Sequence, residues 1–247
     1  MIRRHRAFSI AVGSTVFLLF TVLSNPAGAQ GTETTLPDAI RRGLVEVAVC
    51  GMGASTGTAI IMGIKSRAGQ TVRVRVPSGT VLRSRNAGAQ DMIVHRVEGK
   101  HQDTFRDIFE KCLEIARHEQ ERSKNNQSLS PRWLQQDAIV LQPNESGLYL
   151  MSAYCLDFHK GNPSPSTSFN IAEQAVPEAA QLFVYVGRHP RAYTIIAIQL
   201  ATWAVNGNLD GPTIAQTFSF ASQDRNDACR LLDAAGIGSQ RKRLCNR

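Results

Sequence analysis

The chain has 247 residues, 43% of them hydrophobic, with a formal net charge of +8. That length can bury the core of one large domain or two small ones. A charge this mild, with no recognition module beside it, excludes a dedicated nucleic-acid binder. Neither His-Glu-x-x-His nor Cys-x-x-Cys occurs, and His95, His101, His118 and His189 are scattered without metal-ligand spacing. No metal and no cofactor is expected.

Arg3, Arg4 and Arg6 precede an apolar stretch over residues 8–23 and then Ala27-Gly28-Ala29. This order of charge, apolar core and small residues belongs to a cleavable secretory signal. Residues 1–29 are therefore expected to be removed, taking three arginines and no acid, and the product to be exported to a periplasm, cell surface or extracellular space. The apolar stretch is broken by Gly13, Ser14 and Thr15 and falls short of the roughly 20 residues a spanning helix needs. No second span follows, so no transmembrane segment is expected in the mature chain.

Residues 36–43 read as a short helical turn ending at Gly43. Residues 44–50 carry Val45, Val47 and Val49, and residues 58–64 form a second β-rich run, so the glycine-rich residues 51–57 between them read as a hairpin connection. Val72, Val74 and Val76 alternate with Arg73 and Arg75, the pattern of a half-buried antiparallel strand. Further strands are expected at 80–82 and 90–97. Residues 103–121 change period: Phe105, Ile108, Phe109, Cys112, Leu113 and Ala116 recur at helical spacing, with Lys111, Glu114, Arg117 and Glu119 largely opposite.

Strands resume at 138–141 and 147–157, and helices are expected at 171–185, 192–206 and 226–235, with a turn near 213–217. Strands followed by helices, rather than alternating with them, indicate an α+β fold. The expected architecture is an antiparallel β-sandwich over residues 36–170 with a helical insertion at about 103–121, and a C-terminal helical subdomain over 171–247 packed on the sandwich. The basic residues 241–243 are expected to form a solvated face.

Export would place Cys50, Cys112, Cys155, Cys229 and Cys245 where disulfides persist, and five is odd. Cys229 and Cys245 lie close together near the C-terminus and are the easiest pair to close. Two connectivities remain for the others. Cys50 joins Cys112 and leaves Cys155 over, or Cys50 joins Cys155 and leaves Cys112 as a buried helix residue.

Tyr154-Cys155-Leu156-Asp157 closes an apolar strand-like run, and Ile198-Gln199-Leu200-Ala201-Thr202-Trp203 lies inside an apolar helix-like run. These segments resemble the two signature segments of bacterial thioester domains, surface-protein modules that combine a β-sandwich with a helical subdomain. The resemblance covers roughly residues 40–220 in order of elements. It departs at Ile198, where such modules often carry threonine, and in the close sequence spacing of the two segments. It implies an internal thioester between the Cys155 thiol and the Gln199 side chain, reactive toward amine groups of a surface partner.

An unaligned pair would not react and an exposed thioester would hydrolyse, so the chemistry needs apolar surroundings. Leu148, Leu150 and Ala153 before Cys155, and Ile195, Ile196, Ala197, Leu200 and Ala201 around Gln199, supply them. The expectation is thus an exported, non-enzymatic binding protein that captures its partner covalently. The alternative is a non-covalent envelope or extracellular β-sandwich in which Cys155 and Gln199 are structural.

Overall fold

The valine- and isoleucine-rich runs form strands because branched side chains pack on a pleated surface. The computed structural model describes residues 32–103, 107–130, 132–135, 138–172 and 175–246. The expected signal at residues 1–29 lies outside them. In chain order come β1 Thr32–Thr35, α1 Leu36–Arg41, β2 Val45–Gly51, β3 Thr56–Ser66, β4 Val72–Arg75, β5 Val81–Ser84 and β6 Met92–His101. Then follow α2 Ile108–Lys124, β7 Trp133–Gln135, β8 Ile139–Leu141, β9 Ser146–Cys155 and β10 Phe169–Ala172. The chain ends in helices: α3 Pro177–Arg188, α4 Ile195–Gly207, α5 Gly211–Ala215 and α6 Ser222–Ala234.

The fold is α+β, with two sheets among the described residues. The larger is antiparallel, in the order β10-β5-β6-β9-β3-β2 with β7 beside β6. A single bridge between Cys50 and Ser168 brings its two ends together, so the sheet nearly closes into a barrel. The smaller runs β1-β4-β8. Its Val72 and Val74 enter the core while Arg73 and Arg75 face water, as their alternation predicts. β4 pairs antiparallel with β8 but parallel with β1, a pairing the sequence does not announce.

Strand periodicity divides the core into two layers. Ile60, Met62, Tyr149, Met151, Ala153 and Cys155 belong to the layer shared with α3, α4 and α6. Ala48, Cys50, Ile61, Leu148 and Leu150 belong to the other, against Ile108, Cys112 and Ala116 of α2. α2 starts where Asp107 accepts from the Phe109 and Glu110 N–H groups at 2.8 and 3.1 Å. It sits close because Gly63 has no side chain: a Cβ there would lie 2.9 Å from Cβ of Ile108.

Three expectations change. Residues 171–185 are not one helix: Phe169–Ala172 is a strand paired with β5, Ile171 opposite Leu82, and helix begins only at Pro177. An apolar run this short carries no decisive period, and the free edge of β5 captures it. The sheet therefore extends past residue 170. Glu119, expected on the polar face of α2, is buried. There it accepts from Trp133 Nε1 at 3.1 Å and the Ser130 N–H at 3.2 Å.

The basic tail is likewise not a free solvated face. Lys242 pairs with Glu178, Arg243 with Asp210, and Arg241 donates to the Ile237 carbonyl at 2.9 Å. Cys229 and Cys245 are joined, fixing that tail to α6 as their spacing predicts. No helix among the described residues is long and apolar enough to cross a membrane.

Candidate functional site

β9 runs between β3 and β6 with every residue buried. Cys155 is its last residue, so its thiol points into the core while its backbone is just leaving the ladder. α4 lies against that exit. It is apolar nearly all round, as befits a helix enclosed by the fold rather than lying at its surface. It starts where Thr194 accepts from the Ala197 N–H at 3.0 Å, and stops at Asn208, whose φ of 48° is left-handed.

Within this helix Gln199 is 0% exposed, and its carboxamide meets Cys155 from 44 residues away. The Cys155 N–H donates to Gln199 Oε1 at 3.0 Å, and Gln199 Nε2 donates back to the Cys155 carbonyl at 2.9 Å. The same N–H is shared with the Ser55 carbonyl, also at 3.0 Å. A buried amide without partners costs about 1–3 kcal/mol by mutational measures, and these bonds remove that cost. Two turns further along α4, Asn206 Nδ2 donates to the Leu156 carbonyl at 2.8 Å. Gln199 and Asn206 thus hold successive residues of the strand exit from one helix face.

The Cys155 thiol lies 3.4 Å from Met92 Sδ. Burial, and secondarily the charge of Asp157, push its pKa above the usual thiol range, so it is a neutral thiol at pH 7. Asp157 itself ties the β9 exit to the approach to β6, because its Oδ2 accepts from the Asp91 N–H and from Lys160, both at 3.0 Å. Tyr154, the residue before the thiol, packs its ring against Phe183 of α3.

Cys50 and Cys112 meet on the opposite face. Cys50 is opposite Ile61 in the β2–β3 ladder, and Cys112 Sγ reaches the Ile61 carbonyl at 3.4 Å. A hydrogen bond between the two thiols lowers the pKa of Cys50, while donating that bond, together with burial, raises that of Cys112. Of the two connectivities left open by the sequence, Cys50 with Cys155 is incompatible with the fold, because the sheet separates them.

Beside the Cys155–Gln199 contact opens a cleft of about 520 Å³. The Phe158 and Phe218 rings stand edge-on to Trp203 at 4.9 and 5.0 Å, and His159 stands edge-on to Phe158 at 5.1 Å. The role of Trp203, four residues after Gln199, is thus to wall this cleft. Ser55 lines it as well. Residues 53–57 spell Gly-x-Ser-x-Gly, but a nucleophile elbow joins a strand to a helix, whereas this loop turns from β2 into antiparallel β3.

Sequence reasoning missed Asn206, Ser55 and the aromatic cleft. Asn206 left a signal in its seven-residue offset from Gln199, and Ser55 in the Gly-x-Ser-x-Gly spelling of residues 53–57. No group of three or more His, Cys, Asp or Glu among the described residues is arranged to hold a metal ion. No protein-family model, curated protein or solved structure matches the chain.

Proposed function

We propose that this chain is an exported binding protein that captures a surface partner covalently through a thioester between Cys155 and Gln199. The observation that carries the reading is the meeting of that carboxamide and the backbone of that cysteine, both enclosed, across 44 residues of sequence. The sulfur turns from Met92 to the amide carbon and adds to it. The C–N bond breaks, the thiol proton leaves with the nitrogen as ammonia, and a C–S bond remains. A neutral amine of the partner then attacks the carbonyl, returning the thiol to Cys155 and leaving an amide bond. Each molecule acts once, which makes it a binder rather than an enzyme.

Enclosure supports this chemistry by keeping water from the acyl carbon. The residues that precede the fold support export, and the Cys229–Cys245 bond is compatible with an oxidising compartment. Intact mass of the purified protein is the test. It is expected to fall short by one ammonia beyond the hydrogens lost to disulfides, and the deficit should vanish in Cys155→Ala.

A second reading is favoured by the amide being hydrogen-bonded at both ends. In it the protein is a non-covalent envelope or extracellular β-sandwich, and Gln199 only clamps the strand exit to α4. A full, unmodified mass selects this reading and ends the first.

A further inference from the structure

Two residues lining the cleft beside the strand exit each carry a buried polar atom that the fold leaves without a partner. Trp203 is 3% exposed and Gln90 is 4% exposed, yet neither Trp203 Nε1 nor Gln90 Oε1 has a hydrogen bond. Leaving such a group buried and unpaired costs about 1–3 kcal/mol, so each marks a place where a partner from outside is favoured. One is a donor without lone pairs and the other an acceptor without protons. Both residues line the same cleft, so a ligand that satisfies these atoms, once a side-chain shift opens them, presents an acceptor and a donor together.

The remaining lining narrows the class. Three aromatic rings, Phe158, Trp203 and Phe218, offer apolar surface to C–H groups. Asn162, held by Gln90 Nε2 at 3.3 Å, and the hydroxyls of Ser55 and Thr217 offer further polar contacts. Among the described residues lining this cleft there is no carboxylate, so a cation finds no counter-charge. Its one lysine, Lys160, is already paired with Asp157 at 3.0 Å, so an anion finds its charge engaged. With neither a carboxylate nor an unengaged lysine in its described lining, the cleft favours a neutral ligand.

We propose that this cleft binds an N-acetylated sugar, whose acetamido carbonyl accepts from Trp203 Nε1 while its N–H or a ring hydroxyl donates to Gln90 Oε1. The acetamido methyl and the apolar face of the ring pack on the aromatic walls, and the remaining hydroxyls meet Asn162, Ser55 and Thr217. A plain peptide group has the same amide but no hydroxyls for those side chains. This binding goes beyond the covalent capture proposed above and does not depend on it.

Calorimetric titration of the full chain with the trimer of N-acetylglucosamine tests the assignment. Saturable binding is expected, with the glucose trimer, which lacks the acetamido group, at least about tenfold weaker. Trp203→Phe, which keeps a ring in place and removes only the N–H, should weaken the N-acetylated trimer by about tenfold, the worth of one hydrogen bond. Gln90→Leu should weaken it comparably, and circular dichroism of both variants checks that the fold persists.

Absence of saturation up to about 10 mM trimer, equal binding of the two trimers, or unchanged affinity in both folded variants would overturn the proposal. So would N-acetylglycine methylamide binding as tightly as the N-acetylated trimer, which would assign the cleft to peptide. Intact mass measured on the same sample reports on the thioester separately, so either reading can fail while the other stands.

Discussion

On the α4 face of the large sheet the backbone of a buried cysteine meets a carboxamide; on the α2 face a buried thiol meets a second thiol. Both faces are apolar, both are covered by a helix, and in both burial pushes a thiol pKa upward. What differs is the reaction that the neighbour allows. A thiol beside a thiol can only exchange hydrogen for a disulfide, given an oxidant, whereas Cys155 has Met92 at its sulfur and the Gln199 amide at its backbone. Sheet parity decides which: Cys155 shares the odd-numbered face of β9 with Tyr149, Met151 and Ala153, and Cys50 shares that of Ala48 in β2.

The largest effect should come from breaking the α4 side. Gln199→Ala removes both bonds to Cys155 and opens a cavity between helix and strand, at an expected cost of about 3–5 kcal/mol in urea unfolding. A loss under about 1 kcal/mol would show that the amide does not hold the helix. On the α2 side the change runs the other way. Oxidised glutathione is expected to close Cys50 with Cys112, taking up their two hydrogens, and to raise stability by about 2–4 kcal/mol. Cys112→Ala should abolish that gain, and peptide mapping under non-reducing conditions reads the bond directly.

Gly63→Val tests how closely α2 must sit. The added side chain begins 2.9 Å from Ile108, and about 1–3 kcal/mol should be lost in urea unfolding with the Cys155 environment unchanged. Asn206→Ala leaves the Leu156 carbonyl without its side-chain donor and should cost about 1–2 kcal/mol.

The smallest effect is a pH dependence contributed by both regions. His95, whose ring approaches Tyr154, and His101, whose ring stands edge-on to Trp133, have folded pKa values lowered from 6.5, chiefly by burial. The unfolded chain therefore binds more protons below that pH, and stability should fall as pH drops below 6.5 and continue to fall until the folded pKa values are passed. The slope is at most about 1.4 kcal/mol per pH unit for each histidine. The double variant His95→Gln, His101→Gln should flatten that limb of the stability profile; an unchanged slope would assign it to other groups.

Much of the fold is legible in the sequence because its signals are local. The valine–arginine alternation of β4, the paired β-rich runs of β2 and β3, and the apolar period of α2 each follow from neighbouring residues. Elements decided by distant partners are not legible. β10 is a strand because β5 has an edge to offer, β1 runs parallel to β4 for want of any local reason, and Glu119 is buried because Trp133 and Ser130 come to it.

The site divides in the same way. Cys155 and Gln199 stand out because a thiol and an amide are out of place in their apolar runs. The cleft does not, because Phe158, Trp203 and Phe218 are ordinary aromatic residues until the chain stacks them edge-on into one wall.

The bridge between Cys50 and Ser168 has a consequence for how copies of the chain meet. A sheet whose first and last strands face one another offers few spare amides to a neighbouring molecule, so the outermost strands β2 and β10 mask each other. Strand-by-strand fibril growth then has little purchase at that seam, and crowded copies can stay separate even though their strands are rich in valine and isoleucine.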